Sequence, residues 1–180
     1  MKRILRYLKR SSDLSLWYPY GGSLKLCGFS DADYAGSLVD RKSTSGISHF
    51  LGPCLISWGT KKQNSIALST AEAKYVAAAL CGAQILWIQH QLRDFGVNIG
   101  CVPIMCDNTS AINISKNPVQ HSRTKHIDIR HHFLRDNVEK GHFELNCCQT
   151  NGQLADIFTK PLLRDQFQKI KLDLGLIKLH

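Results

Sequence analysis

Residues 24–36 read LKLCGFSDADYAG, and this stretch decides the fold class. Apolar and polar residues alternate over 24–29, the two-residue period of a half-buried strand. The strand then runs into SDADYAG, whose acids and glycine carry turn chemistry. An acid where a strand ends sits where an α/β sheet collects its functional groups. The question for the rest of the chain is whether other elements end or begin on acids too.

Working outward, DRKSTSG (40–46) reads as a polar loop. Two apolar runs, 47–50 and 54–58, flank Gly52-Pro53 and predict a hairpin. A third short strand is expected at 66–68. The longest helix starts at Ser69 or Thr70 and runs to about Phe95. Ser69 and Glu72 have capping-box spacing, and Gly96 is a C-terminal stop. A strand follows at 102–106, then a helix over 108–115 broken by Asn117-Pro118. Further helices are expected at 125–140, 153–159 and 165–174, with a strand at 143–148. Upstream, 1–12 is a basic helix with Ile4, Leu5 and Leu8 on one side, and 13–23 is a loop or hairpin edge. A strand meander followed by alternating helices and strands predicts a mixed sheet with helices on its faces.

Composition narrows the function. Of 180 residues, 43% are hydrophobic and 21% charged, enough to bury a core. The formal net charge of +9 favours a polyanionic partner, nucleic acid or an anionic membrane surface. No apolar run reaches the length of a membrane span, and the charges in MKRILRYLKR interrupt any signal-peptide core, so neither a membrane association nor secretion is expected. The seven cysteines are odd in number and irregularly spaced, which argues for reduced, buried thiols and not a disulfide framework.

Four acids stand out by position. Asp31 ends the first strand, Glu72 opens the long helix, Asp107 ends IMCD, and Asp156 lies in the short helix after the last strand. Each has a local explanation: turn former, capping-box partner, helix cap, first-turn acid. Together they offer the several carboxylates, from separate elements, that two Mg²⁺ ions need to hold the attacking water and leaving oxygen of a phosphodiester.

Six blocks in order, GFSDADYAG, DRKSTSGISHFLG, ISWGTKKQNSIALSTAEAKYVA, CDNTSAI, RTKHIDIRHHFLR and QLADIFTKPL, resemble the ribonuclease H domain of copia-type retrotransposon Pol polyproteins. The resemblance covers roughly residues 24–163. It implies an α/β fold of the ribonuclease H type, with a five-stranded mixed sheet in the order 3-2-1-4-5 and flanking helices. It implies residues 1–23 as the tail of a reverse transcriptase or connection region, and 164–180 as a C-terminal helical extension. The implied catalytic and metal-binding residues are Asp31, Glu72, Asp107 and Asp156, holding two Mg²⁺ ions, with Mn²⁺ as a substitute. The implied activity is cleavage of the RNA strand of an RNA–DNA hybrid. The polymerase portion of the polyprotein would be a partner, in a cytoplasmic particle or the nucleus. The chain reads as a fragment without polymerase body, integrase core or protease. Its alternative is a catalytically silent module that only binds nucleic acid or protein.

Lys61, Lys62, Arg123, Lys125 and His126 are candidates for substrate phosphates, each with a solvated surface as the competing reading. Arg130 and Arg135 continue that run. Trp58 and Trp87 are expected in the core. His121, His126, His131 and His132 precede Cys147 and Cys148, but adjacent strand cysteines point to opposite faces, so no structural zinc is expected. In AKYVAAALCGAQILWI, Lys74 and Gln84 interrupt an otherwise apolar helix face.

Overall fold

A computed structural model describes residues 2–116 and 128–178, the side chains of 128–131 excepted. Helix α1 (Lys2–Arg10) and strand β1 (Leu14–Leu16) precede the alternating segment, which forms β2 (Leu26–Asp33). The hairpin strands are β3 (Thr44–Leu51) and β4 (Cys54–Lys62), and the long helix is α2 (Thr70–Asp94). Then come β5 (Val102–Cys106), α3 (Thr109–Lys116), α4 (Asp128–Glu139) and β6 (Phe143–Cys147). Two short 3₁₀ turns, α5 (Arg164–Asp173) and β7 (Leu176–Lys178) complete the described elements.

The main sheet has the order β4-β3-β2-β5-β6. Counted among these five strands alone, that is 3-2-1-4-5, the expected mixed sheet. The pairs β2–β3 and β3–β4 are antiparallel, while β2–β5 and β5–β6 are parallel. One face is covered by α2, α3 and α4. There Tyr75, Val76, Ile85 and Leu134 pack on Leu26, Ile104, Phe143 and Leu145. The helix lies close because β2 carries Gly28, where a Cβ would meet Cys81 Sγ at 2.7 Å. The other face is covered by the C-terminal segment, with Ile170 and Leu174 packed on Phe50 and Leu55.

Four local expectations change. The first strand continues through Asp33, so Asp31 lies inside it. β3 begins at Thr44, inside the expected polar loop. Its serines hid it: Ser45 and Ser48 are buried, and Gln63 Nε2 donates to Ser45 Oγ at 2.9 Å. Residues 66–68 form no strand, and the Leu68 N–H instead donates to Glu72 Oε2. The expected helix at 153–159 is replaced by 3₁₀ turns at Thr150–Gly152 and Asp156–Phe158. One feature went unread, and the expectation of buried thiols fails. β1 pairs antiparallel with β7, which joins the two ends of the described chain. The thiols are mostly not buried: only Cys81 and Cys106 of the seven are.

Candidate active site

β2 and β5 run side by side in parallel, with Gly28 opposite Ile104 and Phe29 opposite Met105. Asp31 and Asp107 each lie three residues beyond the first of those pairs, so the register brings them level. The ladder recorded between the strands stops before them. Side chains at that end face the crevice where parallel strands end. Asp107 is not the cap of α3, since Asn108 Oδ1 accepts the Ala111 N–H at 2.8 Å and does that work. Asp31 is not a turn former, since it is paired within β2 opposite Gly46. Two of the local explanations for these acids are thereby removed.

Asp156 arrives from the C-terminal side on the second 3₁₀ turn. Gly46 makes room for that turn. A Cβ there would meet the Ala155 carbonyl oxygen at 2.8 Å and Thr159 Cγ2 at 2.6 Å. The buried Gln153 amide pins the preceding loop, donating to Ser30 O at 3.1 Å and Met105 O at 3.3 Å. Thr60 Oγ1 of β4 donates to Phe158 O at 2.8 Å on the far side of the turn. Oxygens of Asp31, Asp107 and Asp156 then all lie within 4.8 Å of one another.

Glu72 is not a member of that cluster. It serves the start of α2. Ser69 Oγ accepts the Glu72 N–H at 3.2 Å, and Glu72 Oε2 accepts the Leu68 N–H at 3.0 Å. The capping-box reading therefore describes what its recorded bonds do, one residue upstream of the usual acceptor pattern. The side chain that α2 sends among the aspartates is Lys74. Its Nζ donates to Asp31 Oδ1 at 2.8 Å and to Asp107 Oδ1. Two residues on a helix are about 200° apart around its axis, so one turn cannot aim both Glu72 and Lys74 at the same point. A second cation, Lys160, lies 3.0 Å from Asp156 Oδ1 and 3.5 Å from Asp31 Oδ2.

The charges are unequally satisfied. Burial would raise the Asp31 pKa, but hydrogen bonds from Lys74 and Thr159 and the lysine charges bring it down to about 2. Thr159 Oγ1 donates to Asp31 Oδ2 at 2.5 Å. Burial and the neighbouring Asp31 charge push Asp156 up to about 6, against the Lys160 contact. Neither Asp156 oxygen has a hydrogen-bond partner of good geometry. Burial alone would lower the Lys74 pKa, yet its bonds to Asp107 and Asp31 raise it. A buried, under-satisfied carboxylate beside two others is a donor set for a hard divalent cation. The three aspartates could hold one.

The structure places the other expected residues as follows. Lys61 and Lys62 end the edge strand β4 and are exposed, with Lys62 Nζ paired to Asp40 at 2.8 Å. Arg123, Lys125 and His126 lie outside the described residues. Arg135 is turned to Glu139, 3.5 Å away along its own helix. Trp58 and Trp87 are not core residues, being 52% and 59% exposed. Trp58 lies on an edge strand and Trp87 on the outer side of α2, where no layer among the described residues covers them. Sequence reasoning missed Lys74, Gln153, Thr159 and Lys160. The available signal for Lys74 was a cation inside an otherwise buried helix face.

No family model matches the chain. Over 179 residues it is 40% identical to the retrovirus-related Pol polyprotein from transposon RE2 of Arabidopsis thaliana. That alignment takes in 99% of this chain. Nearly the whole chain is therefore homologous to a segment of retrotransposon Pol polyproteins. It spans about 12% of the length of that Pol relative. Among solved structures, it is similar to the N-terminal RNase H domain of Rv2228c from Mycobacterium tuberculosis, with a TM-score of 0.54 and 8% identity. That match covers 83% of this chain and 98% of the other. It is also similar to LC11-RNase H1 in complex with an RNA/DNA hybrid, with a TM-score of 0.51 and 9% identity over 75% of this chain and 94% of the other. At these identities the likeness is one of fold: this Pol segment has the ribonuclease H fold.

Proposed function

We propose that this Pol segment is a divalent-metal-dependent nuclease that cuts the RNA strand of an RNA–DNA hybrid. The observation that carries the reading is the convergence of three aspartates, two buried and one half-buried, from β2, the end of β5 and a C-terminal turn, within 4.8 Å. Asp31, Asp107 and Asp156 would hold the metal, with Mg²⁺ as the biological ion and Mn²⁺ as its substitute. A bound divalent ion supplies Lewis-acid stabilisation of charge on a phosphoryl group. Asp31 is the shared anchor, because both lysines and Thr159 already converge on it. Asp156 has the least satisfied oxygens of the three, which leaves them to a cation.

Substrate choice rests on general chemistry and on charge. The 2′-hydroxyl is what distinguishes an RNA strand, and an A-like duplex exposes it in a wide minor groove. The net charge of +9 favours binding of the duplex, and Lys61 and Lys62 stand at the strand end nearest in register to Thr44 and Ser45. The parent polyprotein's polymerase portion is the natural partner in holding it, given the family.

The test is cleavage of a 5′-labelled RNA annealed to DNA, in Mg²⁺ and in Mn²⁺. Cleavage of RNA only in the hybrid is expected, with at least about a hundredfold loss in Asp107→Asn and Asp156→Asn, the scale on which single catalytic groups act. Equal cutting of duplex DNA, or unchanged cutting by both variants, would refute the reading.

A further inference from the structure

Lys74 has no place in a site built from acids and metal, and its geometry asks for one. It sits on the second turn of α2, between the fully buried Ala73 and Tyr75. Its side chain is 13% exposed, and its ammonium group bridges Asp31 Oδ1 and Asp107 Oδ1. Lys160 differs. It follows a 3₁₀ turn, is 33% exposed, and makes its two contacts at 3.0 and 3.5 Å. A flexible stem near solvent can withdraw, whereas Lys74 is held by the packing of its helix.

We propose that Lys74 is a built-in cation: its ammonium fills the Asp31–Asp107 half of the cluster, so the site accepts one divalent ion, on the Asp31–Asp156 side, and not two. The proposal deepens the nuclease reading and rests on it for the identity of the site. Charge bookkeeping supports it. Three carboxylates and the Lys74 ammonium leave a net charge of minus two once Lys160 withdraws. One divalent ion brings that to neutrality. A second would enter a site with no negative charge left to neutralise, next to a fixed ammonium, and would have to displace it from Asp31 Oδ1 and Asp107 Oδ1. The unsatisfied oxygens lie on the other side, on Asp156, which is where the remaining ion belongs. Positive charge on the Asp107 side is then supplied by the chain itself.

The experiment counts ions on the full chain. Mn²⁺ is titrated into wild type, Lys74→Glu and Lys74→Met, with binding read by calorimetry and by the electron-spin signal of free Mn²⁺. Thermal melts of the same proteins confirm folding. One Mn²⁺ is expected per wild-type chain. Lys74→Glu should bind two, the first at least tenfold more tightly than wild type. Lys74→Met, of similar length and uncharged, should also bind its first ion at least tenfold more tightly. Its metal-free melting temperature should fall, because Asp31 and Asp107 lose their shared cation, and Mn²⁺ should restore it. If Lys74→Glu does not fold, Lys74→Met decides the matter. Two ions on wild type, none on wild type, or variants that bind as wild type does would each overturn the proposal. Hybrid cleavage is measured in parallel. If the ion count changes as expected while no protein cuts the hybrid, the nuclease reading fails and the role of Lys74 stands.

Discussion

Asp31 and Asp156 sit in one buried cluster and are pushed in opposite directions, because the lysines favour one of them. Asp31 is fully buried and lies near a pKa of about 2. Its stabilising contribution is present above the ordinary value of 3.8 and is lost as pH falls toward 2. Replacing it with Asn strands Lys74 and Lys160 beside a neutral amide. The expected cost is about 3 kcal/mol at pH 7, the scale for breaking a buried ion pair, read from urea melts. Asp156 has the reverse sign. Its pKa of about 6 stands above 3.8, so the stability of the protonated form is complete below 3.8 and lost as pH rises through 6. Asp156→Asn should therefore raise the metal-free melting temperature at pH 7 and leave it nearly unchanged at pH 3.5. A drop at pH 7 would show that the Lys160 contact outweighs burial.

At the scale of elements, two short segments decide whether the site assembles. One is the first turn of α2. Glu72 there accepts a backbone N–H and is outside the cluster of three aspartates, so Glu72→Gln should cost about 1 kcal/mol or less. Hybrid cleavage by that protein should stay near wild type. A collapse of cleavage with an unchanged melt would return Glu72 to the catalytic group. The other segment is the turn carrying Asp156, which lies against Gly46. A methyl group at 46 would press on the Ala155 carbonyl, which is backbone and cannot rotate away. Gly46→Ala should cost about 2 kcal/mol, the scale of overpacking. It should also weaken Mn²⁺ binding by moving Asp156 from Asp31, a loss that a calorimetric titration would detect.

Across the whole molecule, the ends of the chain are part of the packing. β1 pairs with β7, and Ile170 and Leu174 of the C-terminal segment cover Phe50 and Leu55. We expect residues 164–178 to fold with the sheet and not as an appended extension. Ile170 is fully buried, so Ile170→Ala should cost about 3 kcal/mol, as core truncations do. A change below about 0.5 kcal/mol in a denaturant melt would mark this segment as a separate unit. The net charge of +9 acts at the same scale. With even two phosphates neutralised, hybrid affinity should fall roughly tenfold between 50 and 200 mM salt, measured by fluorescence anisotropy.

What the sequence determined by itself was what local physics governs. Alternation marked β2, Gly52-Pro53 marked the β3–β4 hairpin, and Ser69 and Gly96 bracketed α2 to within a residue or two. These follow from backbone periodicity and capping, which act over a few positions. The same reading put Asp31, Asp107 and Asp156 near element ends, and the sheet gathered them. Tertiary structure decided the rest. STAEAKY offers an acid and a cation two positions apart, and local sequence favours neither as the group that enters the site. Which one does depends on how α2 is rotated on the sheet, and that rotation is set by Gly28 against Cys81 and by Tyr75 and Ile85 in the core. Trp58 and Trp87 are exposed for the same kind of reason: no layer among the described residues lies over them. The β1–β7 pair needs two segments at opposite ends of the chain to meet, which nothing local to either can signal. Burial and mutual distance are properties of the assembled layers, and they gathered three of the four expected ligands and put a lysine between two of them.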